Sequence, residues 1–139
     1  MSWLTMVSQY TAYVDSIRKN ALKHPKTHPR VKIAGPLIDG NFNVYDGSVL
    51  PELSIRTRDV SESIAETEKL VSMGVDFLKA YEMLSTQQFE AIAAIAAREK
   101  LRLAGHVPLS MEITHAMWLG LNSLEHIKNL ELEAAKNSD

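Results

Sequence analysis

Apolar residues recur at intervals of three and four over the first part of the chain, beginning with Trp3 and Val7. This spacing places them along one side of a helix, so we predict an amphipathic N-terminal helix within residues 1–24. Pro25 and Pro29 follow. Because proline lacks a backbone donor and pushes the residue before it out of helical geometry, the helix should end just before them.

A short β-prone run at residues 31–35 is the first predicted strand, and Gly35 and Pro36 close it. The next stretch contains several glycines and prolines and has no sustained period, so we predict a long loop over residues 36–58. Long loops are uncommon in compact domains and often carry function. This loop either lines or covers a site, or it is a disordered insertion.

From residue 61 onward the pattern alternates between helix and strand. We predict helices over residues 61–73, 85–100 and 108–120 and buried strands over residues 75–81, 101–107 and 123–127. Ser85 and Gln88 have the spacing of a capping box. Strands that alternate with helices over short connections imply parallel pairing with right-handed crossovers. We therefore predict an α/β fold with about four parallel strands, in an open sheet or in part of a closed barrel.

The composition narrows the classes of function. A chain of 139 residues and 15.5 kDa has the usual size of one domain, so we expect a single domain over residues 1–139. With 15 basic and 17 acidic residues the formal net charge is -2, and the scattered basic residues argue against nucleic acid as a partner. The N-terminal stretch has neither a leading basic cluster nor a long apolar run. We therefore expect no signal peptide and no membrane partner, and we predict a cytoplasmic protein.

Three polar residues occur near the ends of three successive predicted strands. Lys79 lies in the apolar run VDFLKAY, where its ammonium group must be paired, neutralised or modified if buried, or must reach solvent through its aliphatic stem. His106 follows in AGHVP and His126 in SLEHI. The carboxyl ends of parallel strands meet at one rim, where ligands and catalytic groups collect. We therefore expect these three side chains to share one site.

The residue types at this rim suit a metal. The chain has no cysteine, so nitrogen and oxygen atoms must be the ligands. Imidazole nitrogen suits zinc, iron, nickel or copper, and two histidines leave coordination positions open for water or substrate. A single histidine, however, is more often a core residue that forms a hydrogen bond with a neighbouring residue than a metal ligand. Glu125 precedes His126, so strand alternation should place it on the opposite face and outside the catalytic machinery.

The ordered set FLKAY, AGHVP and SLEHI resembles the middle of the amidohydrolase superfamily, in particular the imidazolonepropionase- and prolidase-like metal hydrolases. The likeness runs from about Arg30 to Glu131 and includes RVKIAGPLIDG as a third strand and loop. It implies a partial (βα) barrel that corresponds to strands three to six of a TIM barrel. A full eight-stranded barrel typically needs about 250 residues, so the chain would be a truncated domain holding about half of one.

The resemblance also implies roles for the three residues. In this family a lysine on the fourth strand is often carboxylated and bridges two metal ions, and histidines that end the fifth and sixth strands are metal ligands. Lys79 would then be the bridge, and His106 and His126 the ligands, of a divalent metal, zinc in the first instance. The family's His-x-His pair on the first strand and its catalytic aspartate on the eighth have no counterpart here. His24 and His28 precede the third strand and are expected to be loop residues.

Three hypotheses of function follow. In the first, the parent activity is metal-dependent hydrolysis of amide or related C–N bonds. The isolated chain is then inactive and acts on a small-molecule amide or dipeptide only if the full site is completed. In the second, the chain is a non-catalytic half-barrel, a binding or structural module whose exposed sheet edges favour a homodimer. In the third, it is a regulatory protein that pairs with a full-length relative through its N-terminal helix.

Overall fold

The computed structural model describes residues 3–7, 11–50 and 52–126 of the chain. Within them the strands are β1 (Trp3–Val7), β2 (Arg30–Gly35), β3 (Leu37–Asp39), β4 (Ser54–Arg56), β5 (Phe77–Ala80), β6 (Arg102–Gly105) and β7 (Leu121–Leu124). The helices are α1 (Thr11–Lys23), α2 (Val60–Ser72), α3 (Thr86–Arg98) and α4 (Ile113–Trp118).

The strands form two parallel sheets. β1 pairs with β2, and the larger sheet has the order β4-β3-β5-β6-β7, in which every neighbouring pair is parallel. β3 follows β2 almost directly, after a left-handed Gly35 with φ of 75° and Pro36, which has no N–H to offer a sheet. Helices α2, α3 and α4 connect successive strands of the larger sheet. The chain is therefore α/β and forms part of a βα barrel, which confirms the predicted fold class.

Apolar side chains between the helices and the strands make up the core. The larger cluster includes Phe89 and Ile92 of α3, Leu78 of β5 and Leu103 of β6, each at most 1% exposed. A smaller cluster joins α1 to β2. Each large apolar side chain buried in this way contributes about 1.5–3 kcal/mol. Helix packing therefore fixes the strands whose ends carry the polar rim.

The prediction of one helix over residues 1–24 is wrong in its first half. Trp3–Val7 form strand β1, which pairs with β2, and α1 begins only at Thr11. The spacing of a short apolar run fits a strand as well as a helix, and here hydrogen bonds to a strand distant in sequence decide the outcome. The predicted end of the helix is correct, since α1 ends at Lys23.

The predicted loop over residues 36–58 contains two short strands, so that prediction is also wrong in part. β3 and β4 pair over three residues. Further hydrogen bonds flank them, from the Leu37 N–H to the Leu53 carbonyl and from the Thr57 N–H to the Asp39 carbonyl, each 2.9 Å long. Strands of three residues carry no recognisable period, because their partners lie far away in the sequence.

The last strand lies earlier than predicted. The sequence pattern indicates residues 123–127, whereas β7 covers Leu121–Leu124 and is followed by Glu125 and His126. Gly120, with φ of 110°, ends the preceding turn and lets the strand start at once. Residue 127 lies outside the described residues. The helix before this strand is shorter than predicted, since α4 covers only Ile113–Trp118.

The predicted capping box at the start of α3 is confirmed. The Ser85 hydroxyl accepts from the Gln88 N–H, and the Gln88 side chain accepts from the Ser85 N–H.

The longest described helices have 13 residues, and a bilayer span needs about 20. In the described part of the chain no helix is long and apolar enough to cross a membrane.

Candidate metal centre

The structure brings the three predicted site residues to one rim of the sheet. Lys79 lies in β5, His106 directly follows β6, and His126 lies two residues after β7. These strands are parallel neighbours, so their carboxyl ends lie side by side. The imidazole rings of His106 and His126 meet edge to face, with centroids 5.2 Å apart and an interplanar angle of 78°.

Lys79 is buried at this rim and has a charged partner. Its side chain is 11% exposed, and its ammonium forms an ion pair with the Glu125 carboxylate. Lys79 lies opposite Ala104 in the sheet register, and His106, two residues further along, shares that face. Pairing therefore offsets the cost of burying the lysine charge. The expectation that Glu125 faces away from the site is wrong.

The register of β7 explains the position of Glu125. Ser123 lies level with Ala104 and hence with Lys79, so Glu125, two residues further on, shares their face. His126 would then face away, and its backbone conformation corrects this. His126 has a φ of 66°, in the left-handed region, which a residue other than glycine adopts at a cost of about 1–2 kcal/mol. The Glu125 N–H still donates to the Gly105 carbonyl, at 2.8 Å, so the ladder continues to that point. The turn then brings the His126 ring to His106 as well. Backbone strain of this kind is concentrated at functional sites.

His106 is buried among an aromatic ring and a carboxylate. The Tyr81 ring lies against it with centroids 4.2 Å apart and an interplanar angle of 31°, and the Glu82 Oε2 atom lies 3.7 Å from its Nδ1 atom. Burial lowers the pKa of His106 by more than the Glu82 carboxylate raises it, and His126 lowers it further. The imidazole is therefore neutral near pH 7, which is the form that donates a lone pair to a metal.

The loop that follows β3 reaches the same rim. The Tyr45 ring meets the Tyr81 ring nearly at a right angle, with centroids 5.6 Å apart. The Tyr45 carbonyl accepts from the Leu53 N–H at 3.3 Å and from the Ser54 hydroxyl at 3.0 Å. Burial and a hydrogen bond with Tyr45 raise the pKa of Tyr81, so its hydroxyl stays protonated at physiological pH. The structure thus favours a loop that lines the rim over a disordered insertion.

Sequence reasoning missed four residues of the rim, namely Tyr45, Tyr81, Glu82 and the inward-facing Glu125. Tyr81 and Glu82 follow Lys79 within three positions, at the carboxyl end of a predicted strand, and that position could have marked them. Tyr45 depends on the path of a loop, and Glu125 depends on the register shift between β6 and β7. Neither of those two features has a sequence pattern.

The donor set at this rim is partial. Within the described residues, no group of three or more His, Asp or Glu side chains is arranged to hold a metal ion by itself. His106 and His126 are a contacting pair of imidazoles. As expected from the sequence, His24 and His28 lie apart from this pair, in the exposed turn after α1, with ring centroids 5.3 Å from each other.

Comparison with known proteins gives a likeness of structure. No protein-family model and no curated protein matches the sequence. Among solved structures, a bottromycin amidohydrolase superposes with a TM-score of 0.72 at 20% identity, over 91% of this chain and 27% of its own. A Xaa-Pro dipeptidase with bound methionine in its active site gives 0.70 at 17% identity, over 98% and 39%. The ochratoxinase of A. niger gives 0.68 at 16% identity, over 97% and 40%.

The solved structures that resemble this chain also include a prolidase, and the chain spans 27% to 40% of the length of the bottromycin amidohydrolase, the dipeptidase and the ochratoxinase. At 16% to 20% identity the likeness shows the fold and leaves the activity open. The chain therefore has the fold of part of a βα barrel of the kind found in these hydrolases.

Proposed function

We propose that this chain is the central portion of a metal-dependent hydrolase of amide or related C–N bonds. The observation that carries the proposal is the convergence of Lys79, His106 and His126 at the ends of three neighbouring parallel strands, with the two imidazole rings 5.2 Å apart. The sequence resemblance and the fold of the compared hydrolases support it. Neither of these alone assigns the chemistry.

The residue types at the rim suit a divalent metal of the first transition row, with zinc as the first choice. Two neutral imidazoles are good ligands for such an ion, and the cysteine-free site leaves positions open. His106 and His126 would hold the ion. Lys79 would add an anionic ligand only as a carboxylated side chain, which requires its amine to leave the Glu125 carboxylate. When bound, the ion supplies Lewis-acid polarisation of the scissile carbonyl.

The chain's own residues would shape the space around that carbonyl. Tyr81 packs against His106 and restricts its ring, and Tyr45 packs against Tyr81 from the loop. The sequence has no His-x-His pair, so we propose that the isolated chain is inactive. Its substrate, a small-molecule amide or dipeptide, would be turned over only by a completed site.

Zinc is expected to stabilise the folded chain through the two histidines. At a zinc concentration 100-fold above the dissociation constant, binding adds about 3 kcal/mol, which raises the unfolding midpoint by roughly 8–12 °C. His106→Ala and His126→Ala should abolish this rise. His115→Ala, which removes a histidine of α4, should retain it. A zinc-induced rise that is the same in all four proteins would contradict the proposal.

A self-associating half-barrel without catalysis is the second candidate. On α4, next to β7, Met117 and Trp118 are 61% and 80% exposed, and such apolar surface favours association. In the described residues β7 pairs only with β6, and this candidate places a second copy at its other edge. A homodimer in solution is expected from this candidate. A compact monomer at micromolar concentration would count against it.

A further inference from the structure

Strand β7 contains one residue that has no counterpart in its partner strand. Leu103 of β6 lies level with Leu121 and Ala104 lies level with Ser123, so Asn122 is an extra residue in the pairing. An extra residue of this kind is a β-bulge, which bends its strand and disrupts the ladder locally. The side chains that follow Asn122 therefore lie on the opposite faces from those that an unbroken ladder would give them.

The packing of the two leucines of β7 indicates the same bulge. Leu121 belongs to the larger apolar core, and Leu124 packs against that core. Side chains three positions apart on a regular strand point to opposite faces of the sheet. Both leucines can contact one core because a residue between them is set out of the alternation.

The side chain of Asn122 takes part in the hydrogen bonding at the bulge. Its Oδ1 atom accepts from the Leu103 N–H at 3.0 Å. The backbone ladder continues beyond this point, where the Glu125 N–H donates to the Gly105 carbonyl at 2.8 Å. The Asn122 carboxamide thus provides an acceptor to β6 at the position where the register of the two strands changes.

The bulge decides which residue of β7 and its extension faces Lys79. Ala104 lies level with Lys79 on one side and with Ser123 on the other, so Glu125, two residues after Ser123, shares their face. There its carboxylate forms an ion pair with Lys79, whose side chain is 11% exposed. Without the extra residue, Asn122 would lie level with Ala104, and Glu125 would face the other side of the sheet.

We propose that Asn122 is a positioning residue of the rim, whose carboxamide stabilises the bulge and thereby places Glu125 on Lys79. Bulges recur beside active sites, where they redirect a side chain. The inference rests on the proposed function only in counting Lys79 among the residues of that site. Lys79 can become a metal ligand only by leaving Glu125, so the residue that places this carboxylate also governs that step.

A double-mutant cycle on the whole chain tests whether the Lys79–Glu125 pair depends on Asn122. The effects of Lys79→Met and Glu125→Gln on the equilibrium constant of unfolding should be non-additive by a factor of at least about five, because the two groups are in contact. In the Asn122→Ala background this non-additivity should disappear. Asn122→Asp, which retains an acceptor oxygen in the same place, should restore it. Urea unfolding gives each constant.

Asn43→Ala is the matched control, since the Asn43 carboxamide donates to the Ser54 hydroxyl at 2.8 Å, away from β7. This background should lose some stability and keep the full non-additivity. If the non-additivity is absent in the wild type, or persists in Asn122→Ala, the proposal is wrong. Stability alone does not decide, because a merely structural asparagine would lower it without uncoupling the pair.

Amide hydrogen exchange of the wild-type chain decides the matter if Asn122→Ala fails to fold. The Leu103 N–H should exchange slowly, because it donates to the Asn122 carboxamide. Exchange at the rate of an unpaired amide would overturn the proposal. None of these measurements involves a metal, so a chain that binds no zinc would contradict the proposed function and leave the role of Asn122 to these results.

Discussion

Gly105→Ala is expected to be among the most damaging single substitutions in the chain. A Cβ atom at Gly105 would lie 1.9 Å from the carbonyl oxygen of Ala80 in the neighbouring strand, and the residue has a φ of 128°. The same carbonyl accepts the His106 N–H at 3.1 Å. If the strands separated to relieve the overlap, this hydrogen bond would break and His106 would leave its place at the rim. Overlap in a packed interior costs about 1–3 kcal/mol and the backbone conformation a further 1–3 kcal/mol, about 2–6 kcal/mol together.

Gly120→Ala is the control for the conformational part of this effect. Gly120 has a φ of 110°, but a Cβ atom there would meet nothing within 4 Å. We expect Gly120→Ala to lower the free energy of unfolding only by the cost of the backbone conformation, about 1–3 kcal/mol. Urea unfolding followed by circular dichroism gives both free energies. If both variants lose the same free energy of unfolding, then the close approach of β5 and β6 is not the reason for glycine at position 105.

Asp39→Ala is expected to lower the free energy of unfolding by about 2–4 kcal/mol, because buried backbone donors lose their acceptor. The carboxylate is fully buried and accepts N–H groups from Gly40, Val44 and Met83, each at 2.9 Å. Burial raises the pKa of this carboxyl, and those three N–H groups oppose the shift by stabilising the charge. Asp39 thereby ties the loop after β3 to the turn after β5.

The effect of Asp39→Ala should extend to the rim. Amide hydrogen exchange at Val44 and Met83 should accelerate, because both N–H groups lose their partner. Asp46→Ala is the control in the same loop, since the bonds of the exposed Asp46 carboxylate among the described residues go to Ser48, within its own turn. It should change stability by no more than about 0.5 kcal/mol. Equal losses of stability, or unchanged exchange in Asp39→Ala, would contradict the role given to this carboxylate.

The regular half of the fold could be predicted from local pattern. Residues 61–107 alternate between a helical and a strand pattern, and both the strands and the Ser85 capping box lie where the pattern indicates. The rim positions of Lys79 and His106 follow from that alternation, because the carboxyl ends of parallel strands lie side by side at one edge of the sheet. In this region local preference and tertiary pairing agree.

The remainder depends on contacts that a local pattern does not contain. The sequence of β1 predicts the start of a helix, but the segment forms a strand because it pairs in parallel with β2. β3 and β4 are too short to show a period. Glu125 faces Lys79 because Ser123 lies level with Ala104 in the register of β6 and β7, and His126 reaches His106 through a left-handed conformation. Tyr45 reaches Tyr81 because a buried carboxylate holds the loop.

We propose that the rim holds a metal through His106 and His126. The most direct test is the metal content per chain of the purified protein after zinc loading, measured on a single size-separated peak. We predict stoichiometric zinc in the wild type and in His115→Ala, and its loss in His106→Ala and in His126→Ala. A folded wild-type peak without bound zinc would contradict the claim, and the two histidines would then be packing residues of a barrel fragment.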